Sequence, residues 1–142
     1  MPVTIHTKNT DFRFDKEPLL IKWVEHIILA EGFKPGDLAM VFTSDDFLRE
    51  INIEFLGKNY YTDVITFNYV EGKIINGDIL ISVERVNENS VSYGVRFNEE
   101  LIRVAYHGVL HLIGYDDKDD ETLRKMKNRE DHYLELSRGD FL

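Results

Sequence analysis

Apolar residues follow two rhythms along this chain, and the switch between them marks its elements. Val3 to Thr7 alternates weakly and predicts a first strand. Glu17-Pro18 opens a helix, because a proline in the first turn forfeits no hydrogen bond. Leu20, Trp23, Val24, Ile27 and Ile28 then share one helical stripe, and Gly32 supplies the stop. The apolar run Leu38 to Thr43, after Pro35-Gly36, predicts a second strand. Ser44 and Asp45 are caps for a helix with Phe47, Leu48, Ile51 and Phe55 on one face, ending at Gly57. Val64 to Val70 is rich in β-branched and aromatic residues. With turn signals at Glu71-Gly72 and Asn76-Gly77, and a second run from Asp78 to Val83, it predicts a hairpin. A helix follows from Val83 to about Tyr93. Asn98 reads as the N-cap of the next helix, with Glu99 and Glu100 in its first turn and a staple between Phe97 and Ile102. That helix runs to about Ile113, where Gly114 ends it, and a last helix covers roughly Asp119 to Leu136. The order β-α-β-α-β-β-α-α-α, without repeat or linker, predicts one α+β domain over residues 1–142, a mixed sheet with helices packed on it.

Composition narrows the class. With 43 % hydrophobic and 12 % aromatic residues in 142, the chain can bury one core and is not a disordered segment. It has no cysteine, which excludes disulfides and thiolate metal sites and suits a reducing cytosol. The N-terminus lacks an apolar run of signal-peptide length. The stretch Ile21 to Ala30 is broken by Lys22, Glu25 and His26, so it cannot span a membrane. A soluble, cytoplasmic protein is expected. The net charge of −9 lacks the overall basic footprint of a nucleic-acid binder. An RNA partner would therefore need a local patch or a metal cation. Lys118, Arg124, Lys125, Lys127 and Arg129 form one such patch, although Asp119, Asp120, Glu121 and Glu130 make the same stretch readable as a solvated helix face.

The chemistry concentrates in HGVLHLIGYDD, residues 107–117. His107 and His111 lie one helical turn apart and can aim their imidazoles at a common point. Gly114 permits a reversal of the chain, which returns Asp116 and Asp117 over the helix end. Two imidazoles and one of these carboxylates can occupy three corners of a tetrahedron with the fourth open, as in zinc sites that perform chemistry. The neighbours Val109, Leu110, Leu112 and Ile113 are apolar, and two imidazoles buried there without partners would be costly. His6 and His26 are distant in sequence, and His132 reads as a surface residue. The spacing also matches the long zinc-peptidase motif, whose third ligand stands six residues beyond the second histidine. There the first histidine is followed by a glutamate general base. Here Gly108 takes that place, which argues against a peptidase.

The string His107, Gly108, Leu110, His111, Leu112, Gly114, Tyr115, Asp116 resembles the HGxLHLxGYDH motif of the YbeY family, bacterial rRNA-maturation endoribonucleases carrying one metal, usually assigned as zinc. Ile51-Asn52 with Thr62-Asp63-Val64-Ile65-Thr66-Phe67, the block Gly77 to Ser82, and Met126, Glu130 and Leu134 match further family patterns. The resemblance implies single-strand-specific RNA cleavage in 16S rRNA 3′-end maturation and ribosome quality control. It also implies ribosomal RNA and the small subunit as partners, and zinc on His107, His111 and Asp117. Asp117 stands where the family has a third histidine, with Asp116 as the alternative ligand. Leu56 stands where the family usually has an arginine, and Lys58 offers a nearby point charge without a bidentate fork.

Lys58, Asp63 and Asp78 are candidate supports for catalysis. Thr62, Asp63 and Asp78 read either as contacts near the metal or as turn and cap residues. Tyr60 and Tyr61 read either as stacking platforms for bases or as packing against the sheet. Two other functions compete. One is a ribosome-assembly binding factor with a structural metal, favoured by Leu56. The other is a different metal hydrolase or an iron oxygenase, since nickel, iron or cobalt also accept this donor set.

Overall fold

The structure is a computed structural model describing residues 3–142. Met1 and Pro2, the first positions of the predicted domain, lie outside the described residues. The elements are β1 (Val3–Lys8), α1 (Glu17–Ala30), β2 (Lys34–Thr43), α2 (Asp45–Leu56), β3 (Val64–Asn68), β4 (Ile74–Ser82), α3 (Val83–Tyr93), α4 (Phe97–Ile113) and α5 (Asp120–Phe141), the order that the periodicity predicts. The four strands form one sheet in the order β1-β2-β4-β3. β1, β2 and β4 run parallel, and β3 pairs with β4 in antiparallel fashion, so the predicted hairpin forms at one edge.

Local chemistry sets most boundaries. Ser44 Oγ accepts from Phe47 N–H at 3.1 Å and caps α2, and Ser82 caps α3 in the same way through Arg85 N–H. Asp119 and Thr122 form a capping box at the start of α5. Three predicted details differ. The N-cap of α4 is Arg96 rather than Asn98, whose amide instead donates to the Phe141 carbonyl and ties α4 to the end of α5. The second strand begins at Lys34, because a register shift between Pro35 and Leu38 lets the chain stay paired through a proline and a glycine. Asn76-Gly77 lies inside β4 rather than in the turn. There the Asn76 carboxamide oxygen accepts from Asp37 N–H at 2.8 Å and fills the irregularity in β2.

The sheet is covered on both faces, as expected where its inner strands are parallel. One face carries the main core, with Leu20, Val24, Ile27 and Ile28 of α1, Ile79 and Ile81 of β4, and Leu101, Ala105, Val109 and Leu112 of α4. α5 packs behind α4 through Met126, Tyr133 and Phe141. The other face carries a smaller cluster, Leu48, Ile65 and Leu80, beneath α2.

α4 approaches β4 more closely than side chains normally permit. A Cβ at Gly108 would lie 2.7 Å from Ile79 Cγ2, and one at Gly77 would lie 2.6 Å from the Phe67 carbonyl oxygen and 3.0 Å from Leu112 Cδ1. Position 108 is therefore a contact point between helix and sheet, and a glutamate there has no room. Gly77→Ala is expected to lower unfolding free energy by about 1–3 kcal/mol, as overpacking does. Gly139→Ala, in open space on α5, should raise it by roughly 0.5–1 kcal/mol through helix propensity. Urea denaturation of both variants checks the pair, and equal effects would refute the close-approach account.

Candidate metal centre

α4 carries a polar stripe along a mostly buried helix. Glu100, Arg103, His107 and His111 follow one another at three- and four-residue steps and so share a face. The two imidazoles stand parallel, with ring centroids 6.5 Å apart. His107 Nδ1 lies 2.7 Å from Glu130 Oε2 on α5. With Nδ1–H donating to that carboxylate, the Nε2 lone pair is left free, and Asp117 Oδ2 lies 3.6 Å from it. Glu130 is only 5 % exposed. Its second oxygen accepts from Arg103 Nη1 at 2.9 Å, and Arg103 Nη2 in turn donates to Asp131 at 2.7 Å. The buried carboxylate is thus satisfied on both sides, the condition under which burying it is tolerable. Burial opposes charge on His107, but the hydrogen bond to Glu130 and the nearby Asp117 and Asp63 prevail, and its pKa is shifted upward.

The reversal after α4 is built as the glycine predicts. Gly114 has φ 126°, and Tyr115 N–H returns to the Leu110 carbonyl at 3.0 Å. The Tyr115 hydroxyl donates to Glu31 at the end of α1 at 2.7 Å. Glu31 also accepts from the Tyr133 hydroxyl and from Arg129. Desolvation alone would raise the Glu31 pKa, yet these donors hold it below its usual value. The loop bearing Asp116 and Asp117 is therefore anchored to α1 and α5.

A cavity of about 450 Å³ opens at this point, and His107, His111 and Asp117 all line it, together with Asp63, Leu56 and Lys58. Asp116 does not line it: its Oδ1 accepts from Asp117 N–H at 2.9 Å and its Oδ2 faces Lys118 at 3.4 Å. Among the described residues, no three His, Asp or Glu side chains close on one point tightly enough to form a finished coordination set. The donors nonetheless fit a divalent cation in their chemistry, as two imidazoles and a carboxylate. His111 Nδ1 is buried with no hydrogen-bond partner, an imbalance that calls for explanation beside a polar cavity.

The other sequence candidates separate. Asp63 faces the cavity, its carboxyl shifted upward mainly by desolvation, against the opposing influence of His107. Asp78 lies on the opposite face of the sheet, because Gly77 and Ile79 on either side of it face α4. Thr62 also lines the cavity, and its Oγ1 donates to the Val64 carbonyl at 3.5 Å, a local turn contact. The ring of Tyr61 is covered by the guanidinium groups of Arg49 and Arg85, and that of Tyr60 borders the cavity. In the basic patch, Lys125 pairs with Glu121 and Arg129 with Glu31, whereas Lys127 faces a second cavity. His132 is exposed. In the sequence Glu130 reads as one acid of a solvated helix face and as part of a family pattern, and nothing local singles out Arg103. The helical spacing from Glu100 to His111 was the signal available for the stripe on α4.

Fold and cleft together define an α+β protein whose polar centre sits at the C-terminal end of a buried helix. The sequence profile described as Endoribonuclease YbeY matches residues 3–137, and the chain belongs to this family. It is similar to proteins named Endoribonuclease YbeY from Flavobacterium psychrophilum, 45 % identical over 89 % of this chain and 90 % of the relative, and from Chlorobium phaeobacteroides, 42 % identical over 93 % and 96 %. The solution structure of TM1509 from Thermotoga maritima superposes with a TM-score of 0.66 at 28 % identity, covering 97 % of this chain and 93 % of that one. No helix among the described residues is long and apolar enough to cross a membrane.

Glu100, 5 % exposed, has its pKa pushed up to about 7 by desolvation and by the neighbouring Asp63. The folded chain thus holds a proton between pH 4.5 and about 7 that the unfolded chain releases, so stability falls as pH rises through that window. Glu100→Gln is expected to be more stable than wild type at pH 8, on the order of 1–3 kcal/mol, with the gain disappearing at pH 4. Urea titrations at the two pH values test this, and a gain independent of pH would contradict it.

Proposed function

We propose that this chain is a metal-dependent endoribonuclease cutting single-stranded RNA in the cytoplasm, in 16S rRNA 3′-end maturation and ribosome quality control, with ribosomal RNA and the small subunit as partners. The family and the names of its relatives support RNA cleavage. The observation that carries the metal reading is that His107, His111 and Asp117 line one cavity at the end of α4.

One zinc ion would be held by His107, His111 and Asp117. When bound, a divalent cation polarises a phosphodiester oxygen or lowers the pKa of water toward neutrality. The protein's own groups do the rest. Glu130, braced by Arg103, holds the His107 ring so that Nε2 faces the cavity. Lys58 presents positive charge at the cavity wall, where a phosphate must enter an acidic protein. Asp63, facing the same space, is the carboxyl placed to exchange a proton with substrate. Asp78, on the far face of the sheet, is left with a structural part.

His111→Ala is expected to retain the fold by circular dichroism while losing both bound zinc and cleavage of unstructured RNA. Elemental analysis and a fluorescent RNA assay measure the two losses. Cleavage by metal-free variant protein would overturn the mechanism. A second reading is an assembly factor that binds RNA and turns it over weakly. It is favoured by Leu56, which lines the cavity 47 % exposed and offers no charge to a phosphate.

A further inference from the structure

Of the two tyrosines that precede β3, one is engaged within the fold and the other is free. The Tyr61 ring is covered by the guanidinium groups of Arg49 and Arg85, and its hydroxyl donates to Asp46 at 3.2 Å. Tyr60 is 52 % exposed and lines the histidine cavity, and among the described residues its side chain has no aromatic, cationic or hydrogen-bond partner. Its backbone is nevertheless held in place. Asn52, buried on α2, donates from its amide to the Tyr60 carbonyl at 3.0 Å and accepts from Lys58 N–H at 3.1 Å. Arg49 Nε donates to Asn59 Oδ1 at 3.0 Å. Residues 58–60 are thus each tied to α2, so an exposed ring on this backbone loses little conformational freedom when a ligand stacks on it.

Charge separates the two cavities that meet at the histidines. The larger, of about 750 Å³, is lined by Asp63, Glu99, Glu100, Asp117, Glu130 and Asp131, and its Arg103 is already engaged by the last two. A phosphate backbone is repelled there. The histidine cavity shares Asp63 and Asp117 with it, but adds Lys58 and no further acid. Among the described residues neither Lys58 nor Arg49 pairs with a carboxylate, so both cations are free to meet phosphates. Leu56, on the same wall as Tyr60, adds apolar surface beside the ring. A base stacks on an aromatic side chain whatever its sequence, because every base has a π-face.

Building on the endoribonuclease reading, we infer that the RNA strand crosses the α2–β3 segment rather than the acidic cavity, with an unpaired base stacked on Tyr60 and flanking phosphates at Lys58 and Arg49. Tyr60 is a substrate-binding residue in this arrangement. It favours single strands without choosing among bases, since a base inside a duplex has both faces covered by its neighbours.

Fluorescence anisotropy of the full chain with cleavage-resistant 2′-O-methyl hexauridine tests this, using the intact strand and versions with one abasic residue at each position in turn. The wild type should lose about fivefold in affinity when one particular base is removed. Tyr60→Leu should bind the intact strand about fivefold more weakly and should not respond to that abasic position, and Tyr60→Trp should restore both properties. Lys58→Ala should reduce the slope of log affinity against log salt by about 0.7, whereas Lys127→Ala, in the acidic cavity, should leave the slope unchanged. Wild-type affinity in Tyr60→Leu, or an abasic penalty that persists in it, would overturn the stacking. A smaller slope in Lys127→Ala than in Lys58→Ala would overturn the route. Failure of the wild type to bind any strand would overturn the RNA reading together with both.

Discussion

The close approach of α4 to β4 determines where everything else can stand. Gly108 against Ile79, and Gly77 against Leu112 and the Phe67 carbonyl, let the helix axis settle deeper on the sheet than a Cβ-bearing pair permits. Since His107 and His111 flank Gly108 within one turn, their height above the sheet is fixed by that contact. The same seating brings the end of β3, with Asp63 before it, level with the imidazoles, so the cavity is bounded by sheet on one side and helix on the other. The missing glutamate after the first histidine is, in this light, a packing requirement that excludes peptidase chemistry as a by-product.

α5 is the second determinant. It supplies Glu130 to His107 and Tyr133 to Glu31, so one helix steadies both the ring of the first histidine and the loop beyond the second. Buried Glu130 and half-buried Glu31 are surrounded by donors, which is how these carboxylates stay charged within the fold. Arg103, shared between Glu130 and Asp131, is the cation for the first, and Arg129 is the cation for the second.

Much of this was legible before the structure. The nine elements appear in the predicted order because each carries its own period and most carry their own cap or glycine stop. The histidine pair and the reversal were legible for the same reason, being encoded within eleven consecutive residues. What escaped depends on long-range pairing. Pro35-Gly36 and Asn76-Gly77 are turn signals locally, yet the two pairs face each other across β2 and β4 and are held in the sheet by tertiary bonds. Glu130 and Arg103 are 27 residues apart, and their meeting is set by how α5 folds back on α4. The face on which Asp78 falls follows from strand register, which the turn reading of Asn76-Gly77 obscured.

The anchoring of the reversal has a consequence for change over time. The path of the chain past residue 117 is held by the Gly114 backbone and by the tether from Tyr115 to Glu31, and neither involves the side chain at 117. That position is accordingly a socket whose donor can be exchanged, a harder oxygen for a softer nitrogen, without rebuilding the loop. In the metal-dependent reading proposed above, the hardness of the donor set, and with it the ranking of cations competing for the cleft, would drift by single substitutions while the scaffold stands still.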